Sequence, residues 1–169
     1  LAWLATYVAS LQQLQRWASD LQTEGRFGRI EHLILLAGAG EYAAQIVGGI
    51  QMSQGEVVRL AKLGVPSTMH AEFAADAEAL IADGTSDDVR VELGQLIREA
   101  KGTTTYGDSG LDDVHAAMQD EMRRFSEADV LPHAHEWHLE NAYIPLEVIT
   151  KLAELGVFGV SMPEEFGGL

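Results

Sequence analysis

Apolar residues recur along most of this chain at intervals of three and four, the spacing of one face of an α-helix. The first stripe comprises Leu4, Tyr7, Leu11, Leu14, Ala18 and Leu21. Later stripes start at Ile30, Phe73, Val89 and Val114, and a last one follows Pro145. No run of alternating apolar and polar residues is convincing. The sequence therefore predicts an all-α fold, in which a helical bundle is followed by further helices.

Turn and capping residues divide these helices. Ser53-Gln54-Gly55-Glu56 matches a capping box, which predicts a short helix over Val57 to Leu63. Ser86 is expected to cap a helix whose first turn carries acidic residues. Thr103 to Gly110 holds threonine, glycine and few groups to bury, which is typical of a linker. We therefore expect a helical extension over 1–102, a linker over 103–110 and a second helical part over 111–169.

Charge and composition narrow the possible functions. The 169 residues are 47% hydrophobic and carry a net charge of −15, with no cysteine. A chain this acidic has no basic surface for nucleic acid or for an anionic membrane, and it cannot form disulfide or thiolate sites. The longest apolar run, Leu33 to Gly40, is far shorter than a bilayer span, and we expect no signal peptide because no basic segment precedes an apolar one. We expect a cytoplasmic protein that binds neither nucleic acid nor membrane.

One motif suggests nucleotide binding. Gly38-Ala39-Gly40-Glu41-Tyr42-Ala43 matches G-x-G-x-x-A, and Glu56 lies where a ribose-binding acid is sought. No alternation of strands and helices follows, however, and the capping box already accounts for Glu56. The row Gly40, Ala44 and Gly48 also suits a close contact between two helices. The favoured prediction is a helix over Leu33 to Tyr42, with dinucleotide binding as the alternative.

Other candidate chemistry is weaker. His133, His135 and His138 lack the i, i+4 pairing of zinc proteases, so a solvated helix end is the favoured interpretation. The acid pairs Asp112-Asp113, Asp120-Glu121 and Glu164-Glu165 are expected to be solvated. No nucleophile has a base at a recognisable spacing. We assign no catalytic, cofactor-binding or metal-binding residue to this chain.

The last 25 residues carry the most specific pattern. Pro145 to Gly156 reads P-x-E-x-x-x-K-L-x-E-L-G, and Pro163-Glu164-Glu165-Phe166-Gly167-Gly168 follows an apolar turn. This resembles the start of the N-terminal helical domain of the acyl-CoA dehydrogenase family, over about 111–169. Residues 1–110 resemble an N-terminal extension that one branch of the family carries, on the pieces Ala2 to Tyr7, Gly40 to Tyr42 and Gly48 to Glu56.

The resemblance implies an FAD-dependent parent enzyme. In this family a glutamate removes the α-proton of an acyl-CoA thioester and the β-hydride passes to flavin. Electron-transferring flavoprotein then reoxidises the flavin, and a homo-oligomer is implied. The family's base and most flavin contacts lie in later domains, so the chain alone is expected to be a fragment that is inactive and binds no FAD. The alternative is a stand-alone α-helical protein-interaction module without catalytic activity.

Overall fold

The structure is a computed structural model that describes residues 1–101, 105–160 and 162–168, except for the side chain of Glu164. It contains two compact units, Leu1–Gly110 and Leu111–Leu169. Both are mainly helical, which confirms the predicted fold class. Residues 102–104 of the predicted linker lie outside the described residues.

The first unit is built around one central helix. Its elements are α1 (Ala2–Thr23), α2 (Arg29–Gly48), β1 (Ile50–Ser53), β2 (Glu56–Val58), a 3₁₀ turn (Leu60–Leu63), α3 (Ser67–Gly84) and α4 (Asp87–Glu99). Helix α2 packs against α1, α3 and α4. Its largest fully buried side chain, Leu33, lies in the core together with Leu21 of α1 and Ile50 of β1. The predicted stripe of α1 faces inward along its whole length.

Two glycines allow the central helix to approach α3. A Cβ atom at Gly40 would lie 2.8 Å from the Cα atom of Gly84, and one at Gly84 would lie 2.2 Å from the carbonyl oxygen of Leu36. Both distances are shorter than van der Waals contact, so neither position accepts a side chain without movement of the backbone. The predicted close helix contact is thus present at Gly40. It does not extend to Gly48, where a Cβ atom would meet nothing within 4 Å.

The predicted capping box is wrong. Ser53 and Glu56 face each other as Cα partners across an antiparallel hairpin, and Gln54 and Gly55 form its two-residue loop. Gly49, at a φ of 126°, turns the chain out of α2 so that Ile50 enters the core. Ile50 is buried and its partner Val58 is half-buried, whereas the other strand residues of the hairpin are exposed, so its strands show no amphipathic alternation. Glu56 therefore starts a strand rather than capping a helix.

The second unit is a shorter series of helices. Helix α5 (Asp113–Phe125) runs into a π-helical segment (Ser126–Val130), then α6 (Leu131–Leu139) and α7 (Leu146–Glu154), followed by 3₁₀ turns at Val157–Gly159 and Glu164–Phe166. Pro132 lies in the first turn of α6, two residues after the end of the π segment. Because proline lacks an N–H and crowds the preceding turn, the widened π turn accommodates it between two helices.

Candidate functional site

The nucleotide-like motif lies inside helix α2. Gly38 to Ala43 continue the helix without a strand before them, as the helical prediction required, and their backbone N–H groups bond within it. A Cβ atom at Gly38 would lie 3.3 Å from the Cδ1 atom of Leu14, so this glycine faces α1. A dinucleotide needs free N–H groups at a helix N-terminus. The dinucleotide alternative is therefore wrong.

The three histidines project from α6 into solvent. His133, His135 and His138 are all exposed, and the ring of His133 stacks on Trp137 with centroids 5.7 Å apart. Among residues 1–101, 105–160 and 162–168, no three histidine or acidic side chains converge on a point that a metal ion could occupy. The positions of these three histidines therefore do not suggest that they bind one ligand together.

The described acidic pairs take part in surface contacts. Asp112 caps α5 by accepting from the His115 N–H at 2.9 Å, and this bond with the His115 side-chain contact lowers the pKa of Asp112. Asp120 pairs with Arg123 and Glu121 with Arg124, at 3.1 and 2.9 Å. Lys151 pairs with Asp129 of the π segment. Asp112, Asp120 and Glu121 are exposed and face histidine, arginine or solvent, so they lack the desolvation that general acid–base chemistry uses.

The second unit contains an apolar recess. Its volume is about 480 Å³, and α5, α6 and α7 all contribute to it through Phe125, Trp137, Val148 and other apolar side chains. His138 and Asn141 are the polar side chains among its lining residues. Among the residues that the structure describes, none that lines it carries a carboxylate or a nucleophile, so this recess offers apolar packing area rather than catalytic groups.

A cluster of charged groups lies in the first unit at the start of α2. Sequence reasoning missed it, because Glu31 reads as an ordinary first-turn acid. Glu31 is 6% exposed and accepts from the Gly28 N–H at 2.9 Å and from the Asp108 N–H at 2.7 Å. Asp108 in turn binds Arg26, and this contact holds the pKa of Asp108 below its usual value. The cluster joins the loop before the second unit to α2.

The described part of the predicted linker is therefore anchored. Residues 105–110 were expected to have few attachments, but Trp17 Nε1 donates to the Asp108 carbonyl oxygen at 2.9 Å, and the Asp108 side chain binds Arg26. Hydrogen bonds, an ion pair and close contacts at glycine hold this loop. The linker prediction depended on the small number of apolar side chains, which does not reveal contacts of this kind.

Comparison with known proteins gives the class of the second unit. Residues 112–169 match the family described as Acyl-CoA dehydrogenase, N-terminal domain. The chain is related to acyl-CoA dehydrogenases and covers only their N-terminal part, so the resemblance seen in the C-terminal motif is confirmed.

The individual relatives refine this class. The chain is 48% identical to (2S)-methylsuccinyl-CoA dehydrogenase of Cereibacter sphaeroides over 99% of its own length, and it spans 30% of that protein. It is 39% identical to glutaryl-CoA dehydrogenase of Desulfococcus multivorans over 51 residues, 13% of that protein. A probable acyl-CoA dehydrogenase of Bacillus subtilis (strain 168) is 30% identical over 82 residues, 14% of its length. The chain thus spans less than a third of each relative.

The family implies FAD for a parent enzyme, but the one nucleotide-like motif of this chain does not fit it. The N–H groups of Gly38 to Ala43 are used within α2, and Gly40 is in contact with Gly84. We derive no catalytic step through flavin from these residues. None of the described helices is both long and apolar enough to cross a membrane.

Proposed function

We propose that this chain is the N-terminal part of an FAD-dependent acyl-CoA dehydrogenase that oxidises (2S)-methylsuccinyl-CoA to mesaconyl-CoA. The main support is the 48% identity to (2S)-methylsuccinyl-CoA dehydrogenase over 99% of the chain, because an alignment of that length must include the first unit. The matches to the other two relatives extend over 51 and 82 residues, fewer than the first unit alone contains. The match over the first unit is thus the observation that favours (2S)-methylsuccinyl-CoA as the proposed substrate.

The chemistry of the proposed enzyme belongs to residues outside this chain. By family resemblance, a glutamate removes the α-proton and the β-hydride passes to flavin. The proposed enzyme binds an acyl-CoA thioester as its substrate and passes electrons to electron-transferring flavoprotein. It is a cytoplasmic homo-oligomer that acts in the ethylmalonyl-CoA pathway. Residues 1–169 alone are expected to be colourless and inactive, and flavin absorbance at one equivalent per chain would contradict this assignment.

The exposed apolar surface of the second unit supports a larger parent. Leu131, Leu139, Ile144 and Leu146 are each at least 58% exposed, and Tyr143 is 97% exposed. Exposed apolar residues at this density are costly in water and are typical of surfaces that pack against other protein. We propose that the remainder of the parent covers them.

A stand-alone interaction module is the second candidate. The first unit has its own core and an open apolar recess of about 370 Å³, to which α1 and α3 contribute Leu11 and Phe73. Such a recess suits a partner helix. A module of this kind has no reason, however, to carry an acyl-CoA dehydrogenase domain segment at 112–169.

A chimaera tests the proposal directly. Residues 1–169 replace the matching N-terminal 30% of the Cereibacter sphaeroides enzyme, and flavin content and oxidation of (2S)-methylsuccinyl-CoA by an artificial electron acceptor are measured. We expect bound flavin and activity with this substrate above that with glutaryl-CoA. A second chimaera carries Gly84→Ala, which breaks the contact with α2, and a third carries Gly94→Ala, whose Cβ atom would meet nothing within 4 Å.

The outcomes separate function from folding. A chimaera that binds flavin but does not oxidise (2S)-methylsuccinyl-CoA contradicts the proposed substrate. Loss of activity in a Gly84→Ala chimaera that still binds flavin, with retention in the Gly94→Ala chimaera, supports a role for the first unit. Equal and full activity in both variants contradicts that role.

A further inference from the structure

The loop before the second unit is attached to the first unit through one residue in particular. We call residues 107–110 the strap. Every polar group of Asp108 within it has a partner: its N–H donates to Glu31, its carbonyl oxygen accepts from Trp17, and its carboxylate binds Arg26. The Arg26 Nε and Nη2 atoms lie 2.8 and 2.5 Å from the two carboxylate oxygens, the bidentate geometry of a strong charge-assisted contact.

Two glycines allow the strap to lie close to its supporting residues. Gly107 has a φ of 77°, and a Cβ atom there would lie 3.0 Å from the Cδ1 atom of Ile34. Gly110 has a φ of 70°, and a Cβ atom there would lie 2.9 Å from the Cδ1 atom of Trp17. At both positions the backbone is left-handed and little space remains, so glycine is required for two independent reasons. The strap therefore fits a site built by α1, α2 and the loop between them.

The attachment is mostly polar. Asp108 and Ser109 contribute no large apolar side chain, and Arg26 is 41% exposed. The buried apolar core around Leu33, Ala43 and Ile46 does not include the strap. Segments held by few apolar contacts open at a lower free energy than the core to which they attach. We therefore expect release of the strap to leave the helical core folded.

We propose that Glu31 and Asp108 form a latch that sets how much free chain precedes α5. When the latch is closed, Leu111 and Asp112 are the residues between the strap and Asp113, where α5 begins. When it opens, residues 107–110 of the strap join the chain that precedes α5. Glu31 is the positioning residue, because its buried carboxylate holds both the α2 N-terminus and the strap. This inference does not depend on the proposed substrate.

Amide hydrogen exchange of the full 169-residue chain, followed by mass spectrometry, tests the latch. Peptides covering 105–112 report on the strap, and peptides covering α2 and α3 report on the core. Glu31→Gln turns the carboxylate into a neutral amide with one acceptor oxygen, so one of the two N–H bonds is lost and the other is no longer charge-assisted. A hydrogen bond to a charged group corresponds to roughly 10-fold or more in the opening equilibrium. We expect strap exchange to accelerate by about that factor, with core exchange changing less than about 3-fold.

A glycine pair provides the matched control and leaves Glu31 intact. Gly110→Ala introduces a Cβ atom against Trp17, whereas Gly25→Ala has the same φ of 70° and nothing within 4 Å. Both variants carry the strain of a left-handed alanine. Only Gly110→Ala is expected to accelerate strap exchange, by roughly 10-fold, and to change Trp17 fluorescence.

Three results would overturn the latch. The strap could exchange in the unmodified chain as fast as an unstructured peptide. Strap and core could accelerate in parallel in Glu31→Gln, which would make the strap part of one cooperative unit. Gly25→Ala could open the strap as much as Gly110→Ala, which would assign the effect to backbone strain alone.

Discussion

The two units differ in how they use their apolar residues. Of the apolar residues described as buried, nine lie in the first unit and one, Val148, lies in the second. The second unit instead exposes Leu131, Leu139, Tyr143 and Leu146. Its α7 has as clear an apolar stripe as any helix of the first unit, but it has few partners against which to bury that stripe. An amphipathic sequence therefore predicts that one face of a helix will pack against other protein. Whether that face is buried within this chain depends on whether the chain also supplies the packing partners.

The largest expected effect separates the units as fragments. Residues 1–110 are expected to melt cooperatively, because the core around α2 is complete within them, and residues 111–169 are expected to be molten or to aggregate. Far- and near-ultraviolet circular dichroism during heating measures this, since a molten state keeps the far-ultraviolet signal and loses the near-ultraviolet signal. A sharp transition for 111–169 with none for 1–110 would contradict the assignment of the stable core to the first unit.

Truncation of a core leucine comes next in size. Leu33 is fully buried, so Leu33→Ala is expected to lower the free energy of unfolding of the first unit by about 2–5 kcal/mol. Leu146→Ala, in the second unit, removes a side chain that is 73% exposed and is expected to change the free energy of unfolding of that unit by less than about 0.5 kcal/mol. Urea denaturation of the full chain, followed by tryptophan fluorescence, compares the two. Equal losses of unfolding free energy in the two variants would mean that the two units do not differ in how they bury their apolar side chains.

Replacing a glycine by alanine is expected to change the stability of the first unit by a smaller amount, and the sign of the change depends on which glycine is replaced. Gly84→Ala is expected to destabilise the first unit by about 1–3 kcal/mol, because the new Cβ atom meets the backbone of α2. Gly94→Ala, in the middle of α4 with open space around it, is expected to stabilise by about 0.5–1 kcal/mol. Thermal melts of both variants decide this, and the same sign for both would contradict the close contact.

The smallest expected effect is a dependence on pH at Asp108. Arg26 lowers the pKa of Asp108 in the folded state below its unfolded value of about 3.9, so this contribution is present above that pH and is lost as the pH falls below it. Asp108→Asn is therefore expected to lower the urea midpoint at pH 7 and to make less difference at pH 3. Asp20→Asn, at an exposed site on α1, serves as the control. A difference for Asp108→Asn that grows on acidification would contradict the assigned ion pair.

Sequence periodicity predicted the helices well and the local connections poorly. The α1 stripe from Leu4 to Leu21, the Ser86 cap and the helix through Gly38 all follow from spacing that depends only on neighbouring residues. Ser86 indeed accepts from the Val89 N–H at 3.3 Å. The segment Ser53 to Glu56 fits both a capping box and a hairpin loop, and burial of Ile50 by distant residues decided between them.

The strap was missed for a related reason. Its anchors are separated from Asp108 by 77 residues in the case of Glu31 and 91 in the case of Trp17. No local pattern contains such pairs, and the loop carries few apolar side chains that would reveal an attachment. The family assignment, in contrast, depended on one contiguous motif from Pro145 to Gly168, which is why sequence alone reached it.

Residue-resolved hydrogen exchange of the intact 169-residue chain tests the contrast between the units most directly. It needs no fragment and no substitution, and it compares both units within one molecule. We expect slow, cooperative exchange for amides of α2 and α3 and exchange at least about 100-fold faster for α6 and α7, because the second unit buries little apolar surface. Equal protection of α2 and α7 would contradict the account, since it would show that the second unit is as stably folded as the first.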